Sequence, residues 1–480
     1  MSKRPRSPSG KPENKPVRLP TLDASHLPFT SSERTTPPKN VPFQQPLPLT
    51  TFSYTPSRSL EFTNSALKYY IEPPRNANLN YGYDRWIRRP AEKGRIDALL
   101  KAWDKVRSEG RPVGDIGVIS WRGVMTKILT APYEERDSWA LNVMSVNGTL
   151  YFEEHLTQAK LEDNNNMAPR QRMFTYYGYA FESWCTSPDP PTPDTQGRWG
   201  GDVDTNVQWC SVVKTKLGNT RLVIGGEVDC VRGTYQDTNE SLVELKTSMN
   251  IRNAQDEARF EQKLLKFYFQ SFLLGVPEIV VGFRTPSGHL TTTQSFRTLN
   301  LPRLVRGKPK AWDPAVCLEW ADKFLGWVKR NIVEDESVTS SEPQEAADPS
   351  GKANEETLQQ EEEKGTKRSI DAVPPDSQVR VYRVTFNPKD GASMRLLDDD
   401  GVAEVQGGDE PGGVHAVDRV GFLPKWFWEK EVQKKVHGRP PRSTLLENDL
   451  LDRERLRSPA TSSEALGHAA GKPELAGWRI

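Results

Sequence analysis

Leu222-Val-Ile-Gly-Gly-Glu-Val-Asp-Cys-Val231 and Leu242-Val-Glu-Leu-Lys-Thr247 are apolar runs, each broken by two charged residues at i and i+2. These are Glu227 and Asp229 in the first run, Glu244 and Lys246 in the second. Short apolar runs rich in branched residues read as buried strands. Residues i and i+2 of a strand project from one face. Three carboxylates and one ammonium are therefore expected to converge from neighbouring strands. The stretch between the runs, Arg232 to Glu240, holds Gly233, Asp237 and Asn239 and has the composition of a turn, so a hairpin is the simple expectation. Antiparallel pairing without a bulge keeps the sum of paired residue numbers constant. That register sets Asp229 opposite Glu244 and Glu227 opposite Lys246, and a single bulge would break it. Like charges directly opposite destabilise a sheet. A compensating cation is expected there, and a divalent metal is the usual one.

Working outward, Val207 to Leu217, Arg221 to Val231 and Ser241 to Thr247 are expected to form a three-strand meander, with Gly218-Asn219 as its first turn. A helix follows over roughly Ala254 to Leu274, closed by Gly275 and Pro277. Glu278 to Phe283 and Leu290 to Phe296 make a hairpin around Pro286-Ser-Gly288, and Trp312 to Ile332 has helical spacing. Upstream, Ile96, Leu99, Leu100 and Trp103 mark a helix and Val118 to Trp121 a buried strand. Asn147-Gly148 marks a hairpin within Trp139 to Phe152. Val379 to Phe386 alternates as a strand, 390 to 415 reads as an acidic Gly-rich loop, and Phe422 to Trp428 is aromatic enough to dock on the core.

The expected organisation is one large α/β domain. A basic Pro/Ser-rich tail spans 1–50, a catalytic core 51–333, a disordered insertion 334–376, the rest of the core 377–436 and a flexible tail 437–480. Lys3-Arg4-Pro5-Arg6 is either a nuclear-import signal or a solvated basic tail.

A net charge of +1 over 480 residues excludes bulk electrostatic attraction as the basis of partner choice, so any nucleic-acid surface is local. Cys185, Cys210, Cys230 and Cys317 form no CxxC pair, which argues against a zinc site and suits a reducing compartment. No apolar run is long enough to span a bilayer, and no secretory signal is visible.

Strand carboxylates beside a lysine suit metal-assisted phosphodiester hydrolysis. Mg²⁺ or Mn²⁺ prefers hard oxygen ligands, and two ions can stabilise the attacking and leaving oxygens. A lysine near the scissile phosphate can orient water or neutralise developing charge. On the helix that follows, Arg259, Lys263, Lys266 and Gln270 fall on one stripe. That stripe reads either as a phosphate channel or as a solvated charged face, and the solvated face is expected for Arg259 and Lys263. Gln270 sits among apolar residues and needs partners, so a site role and a structural one are both open.

The motifs resemble, in order, those of the DXO/Rai family of RNA 5′-end decapping nucleases, in its fungal Rai-like form. They are Trp121-Arg122-Gly123, Gly178-Tyr-Ala-Phe-Glu182, Glu227-Val-Asp229, Glu244-Leu-Lys246, Lys266-Phe-Tyr-Phe-Gln270 and Gly282-Phe-Arg284. Ala66-Leu-Lys-Tyr-Tyr70 and Leu79-Asn-Tyr-Gly82 are similar too. The resemblance implies a two-sheet mixed β core flanked by helices, like that of PD-(D/E)xK nucleases. It implies metal ligation by Glu182, Asp229, Glu244 and the carbonyl of Leu245, with Glu227 bound directly or through water. Lys246 and Gln270 would position water and the scissile phosphate, and Arg122 would hold an RNA phosphate. The implied reactions release the cap dinucleotide from incompletely methylated caps, pyrophosphate from 5′-triphosphate RNA, and NAD caps, each leaving a 5′-monophosphate in the nucleus. The alternative is a non-catalytic partner and activator of a nuclear Rat/Xrn-type 5′→3′ exoribonuclease. A DNA nuclease of the wider group shares the same triplets.

Overall fold

Asn253 and Gly275 show how local chemistry sets an element here. The Asn253 side chain accepts from the Asp256 amide at 2.9 Å. Gly275 closes the helix with φ 73°, a left-handed conformation that costs glycine nothing. The helix between them, Ala254–Leu274, matches the expectation. The computed structural model describes residues 25–27, 37–340, 379–407 and 416–436. They form a ten-stranded and a six-stranded mixed sheet with helices packed on them, plus a short two-stranded ribbon.

The elements that build the site are, in chain order, β1 (Val118–Trp121), α1 (Arg122–Thr130), α2 (Pro169–Trp184), β2 (Gln208–Leu217), β3 (Thr220–Glu227), β4 (Cys230–Val231), β5 (Leu242–Met249), α3 (Ala254–Leu274) and β6 (Glu278–Arg284). In the large sheet β3 lies between parallel β1 and antiparallel β2. In the small sheet β5 lies between antiparallel β4 and parallel β6. Helix α3 is the β5-to-β6 crossover that a parallel pair requires. Phe260, Leu264, Phe269 and Leu273 of α3 join Ile224, Val281 and Phe283 in the largest apolar cluster, between the sheets.

The three-strand meander is not a single sheet. β3 ends where Glu227 pairs with Cys210, and Val228 turns its amide to the Trp209 carbonyl at 3.0 Å. The chain then enters the second sheet, where Cys230 pairs with Val243 and Val231 with Leu242. The constant-sum register thus holds beyond Asp229 and fails at Glu227, which lies in the other sheet and does not pair with Lys246. Turn composition cannot report this. One flank of β3 is taken by β1, about a hundred residues upstream, and one flank of β5 by β6, beyond the crossover helix α3, and the EVD triplet is the crossing between sheets.

Three further expectations change. Order begins before residue 51: Leu47–Tyr54 is a strand along β2, and Ser25–Leu27 adds to the far edge of the large sheet. Pro46 and Pro48 hide the first strand, whose register shifts between Pro48 and Thr50, where a residue without an N–H is tolerated. The acidic stretch after 390 is not a loop as far as it is described. Gly391–Leu396 pairs with Tyr382–Asn387, and Asp399–Gln406 is a helix capped by Asp398, which accepts from the Gly401 amide at 2.9 Å. Those aspartates are a cap and first turn, where negative charge is favoured. Finally, the helix expected to end at Ile332 runs over Pro314–Ser340. Most of the expected insertion, the tail beyond 436 and Lys3–Arg6 lie outside the described residues. The Asn147-Gly148 hairpin forms as read, and Phe422, Leu423 and Phe427 are buried.

Candidate active site

The site grows from a close approach of two backbones. A Cβ on Gly226 would stand 2.9 Å from Arg122 Cβ, so only glycine lets the start of α1 press on the end of β3. That contact aims Arg122 across the gap between the sheets. Its Nη1 donates to Glu244 Oε2 at 2.9 Å and to the Gln270 carbonyl at 3.4 Å. Glu244, on β5, is 0% exposed, and its other oxygen accepts from Lys246 Nζ. The cation expected beside the paired carboxylates is thus supplied in part by the protein itself.

Asp229 sits beside this ion pair on the crossing strand, and its Oδ2 accepts from the Leu245 amide at 2.6 Å. Glu227 Oε2 accepts from Gln208 Nε2 at 2.7 Å. Glu182 comes from the last turn of α2, more than forty residues upstream. Helix α2 is seated on the second sheet by Phe181, whose ring fills the space a Cβ on Gly282 would occupy. Glu182, Glu227 and Asp229 line a cavity of about 60 Å³ together with Lys68, Tyr179 and Gln208. That is room for a few waters or a partly hydrated ion. Gln270 reaches the site through its carbonyl. Arg259 lies 3.6 Å from Asp256 and Lys266 bonds Glu134 at 3.1 Å, so that part of the stripe is solvated ion pairs.

The four carboxylates are not alike. Burial raises the Glu182 carboxyl well above the usual range, reinforced by Asp229 and then Glu227. Burial, followed by the charge of Glu244, raises Asp229 to about 7. Burial raises Glu227, with Arg122 and the Gln208 hydrogen bond opposing. Only Glu244 is held low: burial opposes ionisation, but Arg122 and Lys246 together prevail. Negative charge exceeds what the two cations neutralise, and the donors are hard oxygens, so the residues fit divalent Mg²⁺ or Mn²⁺. Among the described residues no three carboxylate, imidazole or thiol groups stand together as a finished coordination set. Glu244 is turned to its cations and Asp229 to the Leu245 amide.

The profile of the RAI1 like PD-(D/E)XK nucleases matches residues 44–428. The chain belongs to this family. It is therefore a nuclease, a hydrolase of phosphodiester bonds. The Decapping nuclease RAI1 of Mycosarcoma maydis is 37% identical to it, with 85% of this chain and 90% of that protein aligned. The Decapping and exoribonuclease protein of Xenopus laevis is 36% identical, over 59% of this chain and 75% of that one. The structure of S. pombe Rai1 in complex with 3′-FADP superposes with a TM-score of 0.57 at 25% identity, covering 78% of this chain and all of that one. Candida albicans Rai1 in complex with pU5-Mn²⁺ gives 0.64 at 23% identity over 85% of this chain and 99% of that one, a likeness of fold.

Within this RAI1-like nuclease, the residues missed in the sequence are Lys68, Tyr179 and Gln208, all lining the cavity. Lys68 lies inside the familiar stretch Ala66 to Tyr70 and Tyr179 inside the Glu182 motif, so the segments were visible but not their direction. Gln208 carried no signal, because its pairing with Glu227 depends on the β2–β3 ladder. All four cysteines are buried free thiols. No described helix is long and apolar enough to cross a membrane.

The raised carboxylates make a pH prediction. Between about pH 4 and 7 the folded protein keeps a proton on Asp229 that the unfolded chain has lost, and Glu182 and Glu227 are shifted in the same direction. These groups therefore lower the stability of the metal-free protein as pH rises through that window. A cation must displace the same protons, so it binds better at higher pH. The melting-temperature gain from Mn²⁺ is expected to be larger at pH 7.5 than at pH 5.0. Equal gains at both pH values, by differential scanning fluorimetry against EDTA, would contradict carboxylate ligation.

Proposed function

We propose that this nuclease removes aberrant or non-standard 5′ ends from RNA, acting on incompletely methylated caps, 5′-triphosphates or NAD caps and leaving a 5′-monophosphate. The observation that carries this reading is the convergence of four acidic side chains, Glu182, Glu227, Asp229 and Glu244, with Arg122 and Lys246, in a chain of the RAI1-like family. Relatives named as decapping nucleases supply the substrate class.

Glu182, Asp229, Glu244 and the Leu245 carbonyl would hold two divalent ions, with Glu227 ligating directly or through water. Bound there, the ions would supply Lewis-acid charge to the scissile phosphate and lower the pKa of water. Arg122 offers a planar guanidinium to an RNA phosphate, a geometry that suits bidentate contact. The Glu244 carboxylate and the Gln270 carbonyl fix its direction. Lys246 faces the same carboxylates from one residue past Leu245 and would orient water at the phosphorus with the Gln270 side chain. Burial lowers the Lys246 pKa and the charges of Glu244 and Asp229 raise it; the rise wins, so the ammonium stays charged. It acts as a fixed positive group and not as a base.

A nuclear setting and a Rat/Xrn-type exoribonuclease partner belong to the same proposal. A 5′-monophosphate end is the substrate that a 5′→3′ exonuclease consumes.

The test is a 5′-end assay with Mn²⁺ or Mg²⁺ on matched RNAs carrying a triphosphate, an unmethylated cap, a methylated cap, an NAD cap or a monophosphate, with DNA of the same sequence alongside. Metal-dependent conversion of an aberrant RNA end to a monophosphate is expected. Cleavage of DNA alone would turn the reading to a DNA nuclease. No cleavage of any substrate would favour the exoribonuclease-activator role.

A further inference from the structure

The cations of this site are unequally engaged. Arg122 and Lys246 are both bonded to Glu244, and neither they nor Glu244 lines the cavity. The cavity is lined by Glu182, Glu227 and Asp229 together with Val203, Thr205 and Gln208, and its one basic lining residue is Lys68. Among the described residues the Lys68 ammonium makes no ion pair or hydrogen bond, although Asp204 as well as the three site carboxylates lines the same space.

The position of Lys68 is not loose. Its carbonyl accepts from the Val231 amide at 2.9 Å, next to the pairing of Tyr69 with Val231, and Leu67 and Tyr70 on either side are buried. The backbone is thus fixed to β4, one residue beyond Cys230 and two beyond Asp229. The ammonium is close enough to lower the carboxyl pKa values of both Glu182 and Glu227. A fixed lysine that lines an acidic cavity without closing an ion pair is a charge held ready for an anion from outside.

In-line displacement at phosphorus places the attacking and leaving oxygens on opposite sides. If Lys246 and Gln270 orient the water, as proposed above, the leaving group departs away from them, and the cavity that Lys68 lines, which neither Lys246 nor Gln270 lines, is space for it. We propose that Lys68 binds the phosphate-bearing leaving group, and that it favours ends whose leaving group is itself a phosphate. The clearest case is 5′-triphosphate RNA. Water attacks the α-phosphorus, the bond from that phosphorus to the bridging oxygen breaks, and pyrophosphate leaves with the electron pair. The proton lost by water passes to solvent. When a whole cap dinucleotide is released, the leaving oxygen belongs to a ribose, and the nearest leaving-side phosphate is farther away.

This inference rests on the proposed site, and the experiment separates the two. kcat/KM is measured for Lys68→Met and Lys68→Arg on 5′-triphosphate RNA and on unmethylated capped RNA, with Asp229→Asn as the control for the site. Lys68→Met is expected to lose about 10-fold to 100-fold on triphosphate RNA, and at least several-fold more there than on capped RNA. Lys68→Arg, which keeps the charge, should recover most of the loss. Product inhibition by pyrophosphate should weaken in Lys68→Met. Mn²⁺ affinity by titration calorimetry should be equal or tighter, because a positive charge has left an acidic cavity. Equal losses on both RNAs, no loss on either, or loss of Mn²⁺ binding in Lys68→Met would each overturn the assignment. Activity that survives in Asp229→Asn would instead overturn the site.

Discussion

Asp229→Asn is expected to abolish hydrolysis while making the metal-free protein harder to unfold. The carboxylate is half-buried, faces Glu244 and carries a pKa raised to about 7, so at pH 7.5 holding it ionised costs the folded state more than the unfolded chain. Asparagine is nearly isosteric and keeps a carbonyl oxygen for the Leu245 amide. It removes the negative charge that would hold a cation. The turnover loss should be on the order of 10³-fold or more, the scale seen when a charge-stabilising group leaves a preorganised site. In EDTA at pH 7.5 the melting temperature should rise relative to the parent, and the Mn²⁺-induced gain should shrink. A melting temperature that falls would mean that Asp229 contributes structure as an ion.

Glu244→Gln is expected to behave in the opposite way. Glu244 is fully buried and is the shared acceptor of Arg122 and Lys246. Neutralising it leaves two cations facing each other without their counter-ion. Breaking a buried pair from one side costs about 3–5 kcal/mol, and partial exposure of both cations places the expected loss at about 3 kcal/mol. Activity should be lost as well. Glu244→Gln combined with Arg122→Met should recover much of the stability and none of the activity, because one of the two uncompensated cations is removed and Lys246 still has the charge of Asp229 near it. Urea unfolding of Glu244→Gln, Arg122→Met and the double variant measures this coupling. Additive losses would show that the Arg122–Glu244 contact carries little energy.

These opposite signs come from residues that look alike as text. EVD and ELK are both charged pairs in apolar strands, and alternation alone puts their side chains on one face. Which carboxylate is held ionised and which is left strained depends on Arg122, which arrives from the end of β1 only because Gly226 lets α1 approach. The helix over Ala254–Leu274, its cap and its glycine stop were readable because they depend on chemistry within a few residues. The β2–β3 ladder and the Asn147-Gly148 hairpin were readable for the same reason. The split of β3 and β4 between two sheets was not, since it is decided by strands far away in the chain. The strand at Leu47–Tyr54 was hidden by prolines at its bulge.

By itself the sequence determined the i, i+2 pairs Glu227 with Asp229 and Glu244 with Lys246 and the local stops and turns, while Glu182 entered only through the family resemblance. The pairs and the stops follow from side-chain period, glycine conformation or capping within one segment. Only the tertiary structure decided that Glu227 belongs to one sheet and Glu244 to the other, that Gln208 holds Glu227, and that Lys68 stands in the cavity while Arg122 and Lys246 are tied to Glu244. The reason is physical. Charge pairing and burial act between residues that folding brings together from distant parts of the chain, and no spacing within one segment reports them.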